Sequence, residues 1–369
     1  FIQQCKESAS LSETLGDLTK AKTRYERILA LDPTEVDATN RLGNLHRTLG
    51  NLDAAVDCFR KLPELRPGED IWAAISCGNL AVIYLTRGDM DQAEIFLHQS
   101  LVINEKLGRL HGMASQYGNL GLIYRIRGEL DQAETMHTQS LAINLKLDRL
   151  EGLASDYNNL GGVHLTRGEL DKAEVMLQKS LAINDKLGYL EGMANQYGNL
   201  GLIYRIHGEL DQAESMYRQS LAINEKLGRL EGMAIQYGNL GVIYQTRGEL
   251  DQAESMYRKS LTINLRLERK EGMANQYGNL GLIYLTRGNL WQAEAMLQES
   301  LAINKKLGRL EGMARDYQNL GSIAKQRGEM SEARKYWTQS IDFAMQIGMP
   351  QMVAIVQGCI DRLDSATNT

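Results

Sequence analysis

The stretch Gly118-Asn119-Leu120-Gly121-Leu122-Ile123-Tyr124 decides the fold, because versions of it return at a fixed interval. Its Asn-Leu pair occurs at Asn79-Leu80, Asn119-Leu120, Asn159-Leu160, Asn199-Leu200, Asn239-Leu240, Asn279-Leu280 and Asn319-Leu320, a spacing of 40 residues. A constant period of that length predicts a solenoid of stacked units, each touching only its neighbours. Such a chain assembles no catalytic cleft from distant segments. It presents a long, repetitive surface.

Around this stretch each unit divides into two helices. From about His111 to Ile126, Ala114, Tyr117, Leu120, Gly121 and Tyr124 recur at three- and four-residue steps, which places them on one face. Gly128 ends that helix, with Arg127 in its last turn. A second helix is expected from about Asp131, where Asp131 to Glu134 reads as a capping box and Glu129 is a rival cap. Its buried face would carry Ala133, Met136, Ser140, Ile143 and Leu147. No segment alternates as a strand does, so the fold class is all-α.

Outside this region the rhythm changes. Pro33 and Pro67 stand 34 residues apart, as do Gly16 and Gly50. Residues 1–67 therefore read as two shorter units, 68–348 as seven 40-residue units, and 349–369 as a capping helix and tail. The chain opens on Phe1 within a helical pattern, as a piece of a longer protein would.

Composition narrows the function classes. Of 369 residues, 43% are apolar and 24% charged, as in ordinary folded proteins, and the net charge is −5. Interleaved charges offer no phosphate-neutralising stripe, so nucleic acid is not an expected partner. No apolar run approaches a membrane span and no signal peptide opens the chain. Cys5, Cys58, Cys77 and Cys359 form no CxxC pair and read as buried thiols in a reducing compartment, so a cytoplasmic location is expected. The six histidines show no ligand spacing, and no nucleophile or phosphate-loop motif occurs. Neither an enzyme nor a metal or other cofactor is expected.

Tyr117, Leu120, Gly121, Tyr124, Ala133 and Ser140 fall on the tetratricopeptide repeat signature. In residues 1–67, Leu42, Gly43, Phe59 and Pro67 fit its common 34-residue form. The later units resemble the extended repeats of kinesin light chains and cell-polarity adaptors, Asn158 to Gly161 most closely. This resemblance implies a right-handed α-solenoid superhelix of about nine helix pairs plus a C-terminal capping helix. It also implies that the first helices line a concave face that binds protein or peptide.

On that face the asparagine ladder (Asn79, Asn119, Asn159, Asn199, Asn239, Asn279 and Asn319) is the leading peptide-binding candidate. Asparagine in mid-helix costs roughly half a kcal/mol by propensity, yet its amide both donates and accepts. The alternative is an internal bond between neighbouring helices. Variation concentrates beside the ladder: Ser115, Ser155, Asn195, Ile235, Asn275 and Arg315 share one position, so Asn195 and Asn275 join the candidates. Arg125 and Arg205 are expected to grip an acidic group, with Asp156 and Asp316 as possible internal partners. Glycines such as Gly118 admit either a ligand backbone or tight internal packing. A second series, Asn104 to Asn304, reads as structural. Trp291 replaces an expected Asp cap and reads as a staple on its own helix or as a partner contact. The expected function is an interaction scaffold binding an extended peptide. A sensor arm of a larger regulatory protein and a self-assembling array are the alternatives.

Overall fold

A computed structural model of the protein describes residues 2–14 and 16–367, with side chains for 3–14 and 16–363. Residues 368 and 369 of the expected tail lie outside the described residues. Among those described there are nineteen α-helices and no strand. The two short repeats are α1 (Ile2–Thr14) with α2 (Leu18–Leu31), and α3 (Val36–Thr48) with α4 (Leu52–Leu65). Long pairs follow as α5 (Asp70–Thr86) and α6 (Met90–Lys106), α7 (Leu110–Arg127) and α8 (Leu130–Lys146), α9 (Leu150–Arg167) and α10 (Leu170–Leu187). Next come α11 (Leu190–His207) and α12 (Leu210–Lys226), then α13 (Leu230–Thr246) and α14 (Leu250–Arg266). The last pairs are α15 (Lys270–Thr286) with α16 (Leu290–Leu307) and α17 (Leu310–Gln326) with α18 (Met330–Gln346), before a single α19 (Pro350–Thr367).

The chain divides into two compact units, Phe1–Leu187 and Gly188–Thr369. Within each, a helix packs on its neighbours in sequence, and first helices of adjacent repeats also touch, α7 with α9 and α15 with α17. Glycine makes each pair close. A Cβ on Gly201 would stand 2.6 Å from the Tyr217 ring, and one on Gly281 2.7 Å from Leu297 Cγ. Tyr217, Tyr257 and Leu297 are fully buried in the continuous core of the second unit, each contributing roughly 1.5–3 kcal/mol.

The expected capping box is not formed. Leu130 is the first helical residue of α8, Glu129 occupies the cap position, and no side chain caps it. The turn is closed by backbone instead: Gly128 adopts φ 81°, and Glu129 N donates to Tyr124 O at 2.8 Å. Asp89 does cap its helix, accepting from Gln92 N at 3.1 Å.

The displaced acids serve the next repeat. Arg127 donates to Glu94 Oε2 at 2.5 Å and Asp91 Oδ1 at 2.6 Å, in the preceding repeat. Arg167 grips Glu134 and Asp131 in the same way, and Arg287 grips Glu254 and Asp251. The arginines thus reach acids of the preceding repeat's second helix. Where Trp291 replaces the Asp, the Arg327 guanidinium lies 4.6 Å from its ring centroid and still pairs with Glu294 at 2.7 Å. Trp291 is thus stacked by the following repeat, not stapled to its own helix, and remains 81% exposed. The four cysteines are free and only half-buried, less enclosed than expected.

Candidate functional site

In the second unit the first helices α13, α15 and α17 stand side by side and line a groove of about 820 Å³. Asn239, Asn279 and Asn319 line it, one from each helix, with Asn275, Ile235 and Arg315 beside them and Met352 reaching in from α19. Register explains the grouping. Asn275 precedes Asn279 by four residues, about one helical turn, so both fall on one face.

All seven ladder asparagines are half-buried, neither sealed between helices nor fully exposed. Asn79 Nδ2 donates to Asn40 Oδ1 at 3.2 Å, and Asn239 Nδ2 donates to Gln236 Oε1 at 3.3 Å. Asn119, Asn159, Asn199, Asn279 and Asn319 have no hydrogen-bond partner among the described residues. Their amides therefore present donor and acceptor capacity that the fold leaves unused.

Asn195 and Asn275 are exposed, and Asn275 Oδ1 accepts from Arg309 Nη1 at 3.1 Å. The arginine expectation needs correction. In α13, α15 and α17 the register of Arg125 and Arg205 is held by Gln245, Leu285 and Lys325, none of which lines the groove. Six residues after the ladder asparagine, each arginine sits about 120° from it round the helix, off the ladder's face. Nor do they meet Asp156 or Asp316. Asp156 Oδ2 accepts from Asn144 Nδ2 at 2.7 Å, and Asp316 Oδ2 accepts from Asn304 Nδ2 at 2.8 Å.

Those acids belong to a buried column that periodicity alone does not single out: Gln116, Asp156, Gln196, Gln236, Gln276 and Asp316, each at most 8% exposed. It settles the role of the Gly118 series where glutamine is present. A Cβ on Gly78 would stand 3.1 Å from Gln116 Nε2, and one on Gly238 3.1 Å from Gln276 Nε2. The glycines admit a neighbouring repeat's amide. The visible signal is a polar residue held at one helical register among apolar ones.

The second asparagine series is structural, as expected. Asn104 Nδ2 donates to Ser100 O at 2.9 Å, while Arg109 Nη1 donates to Asn104 Oδ1 at 3.1 Å across the turn.

Burial shapes the titrations. It drives the His137 imidazole, neither nitrogen of which has a partner among the described residues, down to about 4, with Arg125 adding to the effect. Burial also lifts the Asp316 carboxyl to about 6 against opposing hydrogen bonds from Asn304 and Ser300. Burial works against ionisation of Glu214, which Arg247 grips as Arg127 grips Glu94. Hydrogen bonds from Tyr244, Arg247 and Arg218 outweigh it and hold the carboxyl at about 2.

Comparison with known proteins gives family matches along the chain. The MalT-like TPR region matches residues 193–360. One tetratricopeptide repeat profile matches 70–146 and 152–226, and another matches 14–76. Among curated proteins, none matches the chain significantly. Solved structures share its fold. A signal transduction ATPase with numerous domains and a tetratricopeptide repeat sensor, from Pyrococcus horikoshii, is 17% identical with a TM-score of 0.72. That match covers 96% of this chain and 55% of that one, so the chain spans little more than half its length. The apo form of RapI is 14% identical over 94% of this chain and 98% of its own, with a TM-score of 0.70. The apo quorum sensor NprR from B. thuringiensis is 15% identical over 93% and 98%, with a TM-score of 0.69.

Proposed function

Because the chain belongs to the tetratricopeptide repeat family, we propose that it is a protein-interaction scaffold whose groove holds an extended peptide or a partner's segment. One observation carries this reading: Asn279 and Asn319 line the groove half-exposed, their side chains without partners among the described residues. An amide so placed can donate to a peptide carbonyl and accept from a peptide N–H, independent of the ligand's side chains. Asn275, Ile235 and Arg315 vary at one register beside the ladder and supply selectivity.

Peptides selected from a display library against the full chain test this, with hydrogen exchange locating the contact. Protection of α13, α15 and α17 over α14 and α16 is the expected pattern. Protection confined to the second helices would refute it.

A second reading, a sensor arm within a longer regulatory protein, is favoured by the likeness to the tetratricopeptide repeat sensor of the Pyrococcus horikoshii signal transduction ATPase and to the quorum sensor NprR. It predicts that the groove ligand changes an activity carried elsewhere in the same gene product. A gene product without any further segment would contradict it.

A further inference from the structure

From a pit in the groove floor of the second unit, we infer that the site takes a primary ammonium group of its ligand on the carboxylate of Asp316; this rests on the groove reading above.

The pit arises from one shortened side chain. In neighbouring repeats a glutamine of the buried column reaches over the preceding glycine, as Gln276 does over Gly238. At the same register Asp316 is one methylene shorter. Nothing comes nearer to a Cβ placed on Gly278 than Ser300 Oγ at 3.4 Å and Asp316 Oδ1 at 3.7 Å. Gly278, Ser300, Asn304 and Asp316 all line the groove.

The carboxylate is short of partners. Asp316 is 4% exposed. Its Oδ2 accepts from Asn304 Nδ2 and meets Ser300 Oγ at 2.9 Å, but Ser300 also donates to Ala274 O at 3.0 Å. One hydroxyl carries one proton, so the two acceptors compete for it. No donor meets Oδ1 among the described residues.

Charge decides the ligand class. The arginines lining the groove are each paired with a glutamate: Arg269 with Glu231 at 2.8 Å, Arg309 with Glu271 at 3.1 Å, and Arg315 with Glu311 at 2.7 Å. Among the described residues no cation pairs directly with Asp316, and Arg309 is joined to it only through Asn304. A buried carboxylate in that state gains most from a charge-assisted donor. An ammonium brings three donors, matching Oδ1 and the Ser300 oxygen, on a stem narrow enough to enter over a glycine. A lysine side chain and a peptide amino terminus both provide it.

Arrays of random heptapeptides test this on the full chain, one set N-acetylated and one with free amino termini. Each is probed with the wild type, Asp316→Gln and Asn279→Ala. Glutamine already occupies this register at Gln276, so Asp316→Gln keeps the fold and fills the pit; a thermal melt verifies this. Lysine enrichment among acetylated binders marks a side-chain ammonium, and dependence on the free terminus marks the amino end. Either should lose roughly tenfold or more in affinity in Asp316→Gln, while norleucine counterparts do not. Binders that need Asn279 but show no ammonium preference, or that keep their affinity in Asp316→Gln, overturn the inference and leave the groove reading intact. Ammonium-bearing binders that need Asp316 and not Asn279 uphold the inference and remove the ladder's role.

Discussion

Asn144 occupies the space beside Gly152: a Cβ on that glycine would stand 2.5 Å from Asn144 Cγ. The buried amide of one repeat therefore dictates glycine in the first turn of the next. Asn144 is held in place by Asp156 and Arg149, so it has little freedom to yield. Gly152→Ala should destabilise the protein by about 1–2 kcal/mol, because overpacking outweighs the helix-propensity gain. Gly162, in the same helix α9, has nothing within 4 Å of where an added methyl would sit. Gly162→Ala should stabilise by up to about 1 kcal/mol. Chemical denaturation of both variants checks the contrast, and equal effects would contradict it.

His137 fills the slot held by Leu97, Leu177, Tyr217 and Trp337 in other repeats, stacked against Gly121 and fully buried. Its folded pKa, about 4, lies below the ordinary value of 6.5. The unfolded chain therefore binds its proton first, and stability falls as pH drops from about 6.5 towards 4. His137→Leu should remove that slope, gaining about 2 kcal/mol more at pH 5 than at pH 7.5. Denaturation at the two pH values measures it; an unchanged slope would show that His137 carries no such cost.

Glu268 holds φ 52° in the turn before α15, where Gly108, Gly228 and Gly308 stand in other repeats. A left-handed backbone costs a side-chain-bearing residue roughly 1–2 kcal/mol. Glu268→Gly should thus raise stability by about 1 kcal/mol, less than the strain itself because glycine also frees the unfolded chain. A lowered melting temperature would contradict this.

Much of this architecture is legible in the period of the Asn-Leu pair, and the packing role of Gly121 and the structural role of Asn104 follow from register alone. The start of α8 is less legible, because Asp131 resembles a cap until the closure by Gly128 is seen. The Arg127 clasp joins residues 33 and 36 positions apart, a distance at which helical periodicity says nothing about contact. Its charge suggests Arg125 as a grip for an acidic ligand group, whereas six residues of helix rotation set it about 120° from the ladder asparagine. Asp316 resembles a counter-ion in the sequence; its shortened reach over Gly278 becomes visible only when the repeats are compared atom by atom.

The central claim is that the unpartnered ladder amides hold the ligand's backbone. Affinity of a selected groove peptide for the double variant Asn279→Ala, Asn319→Ala, measured by calorimetry beside the wild type, tests it most directly. Loss of two to four hydrogen bonds, each worth about 0.5–1.5 kcal/mol, predicts binding weaker by about fivefold or more with helicity and melting temperature preserved. Affinity within twofold of the wild type would contradict it.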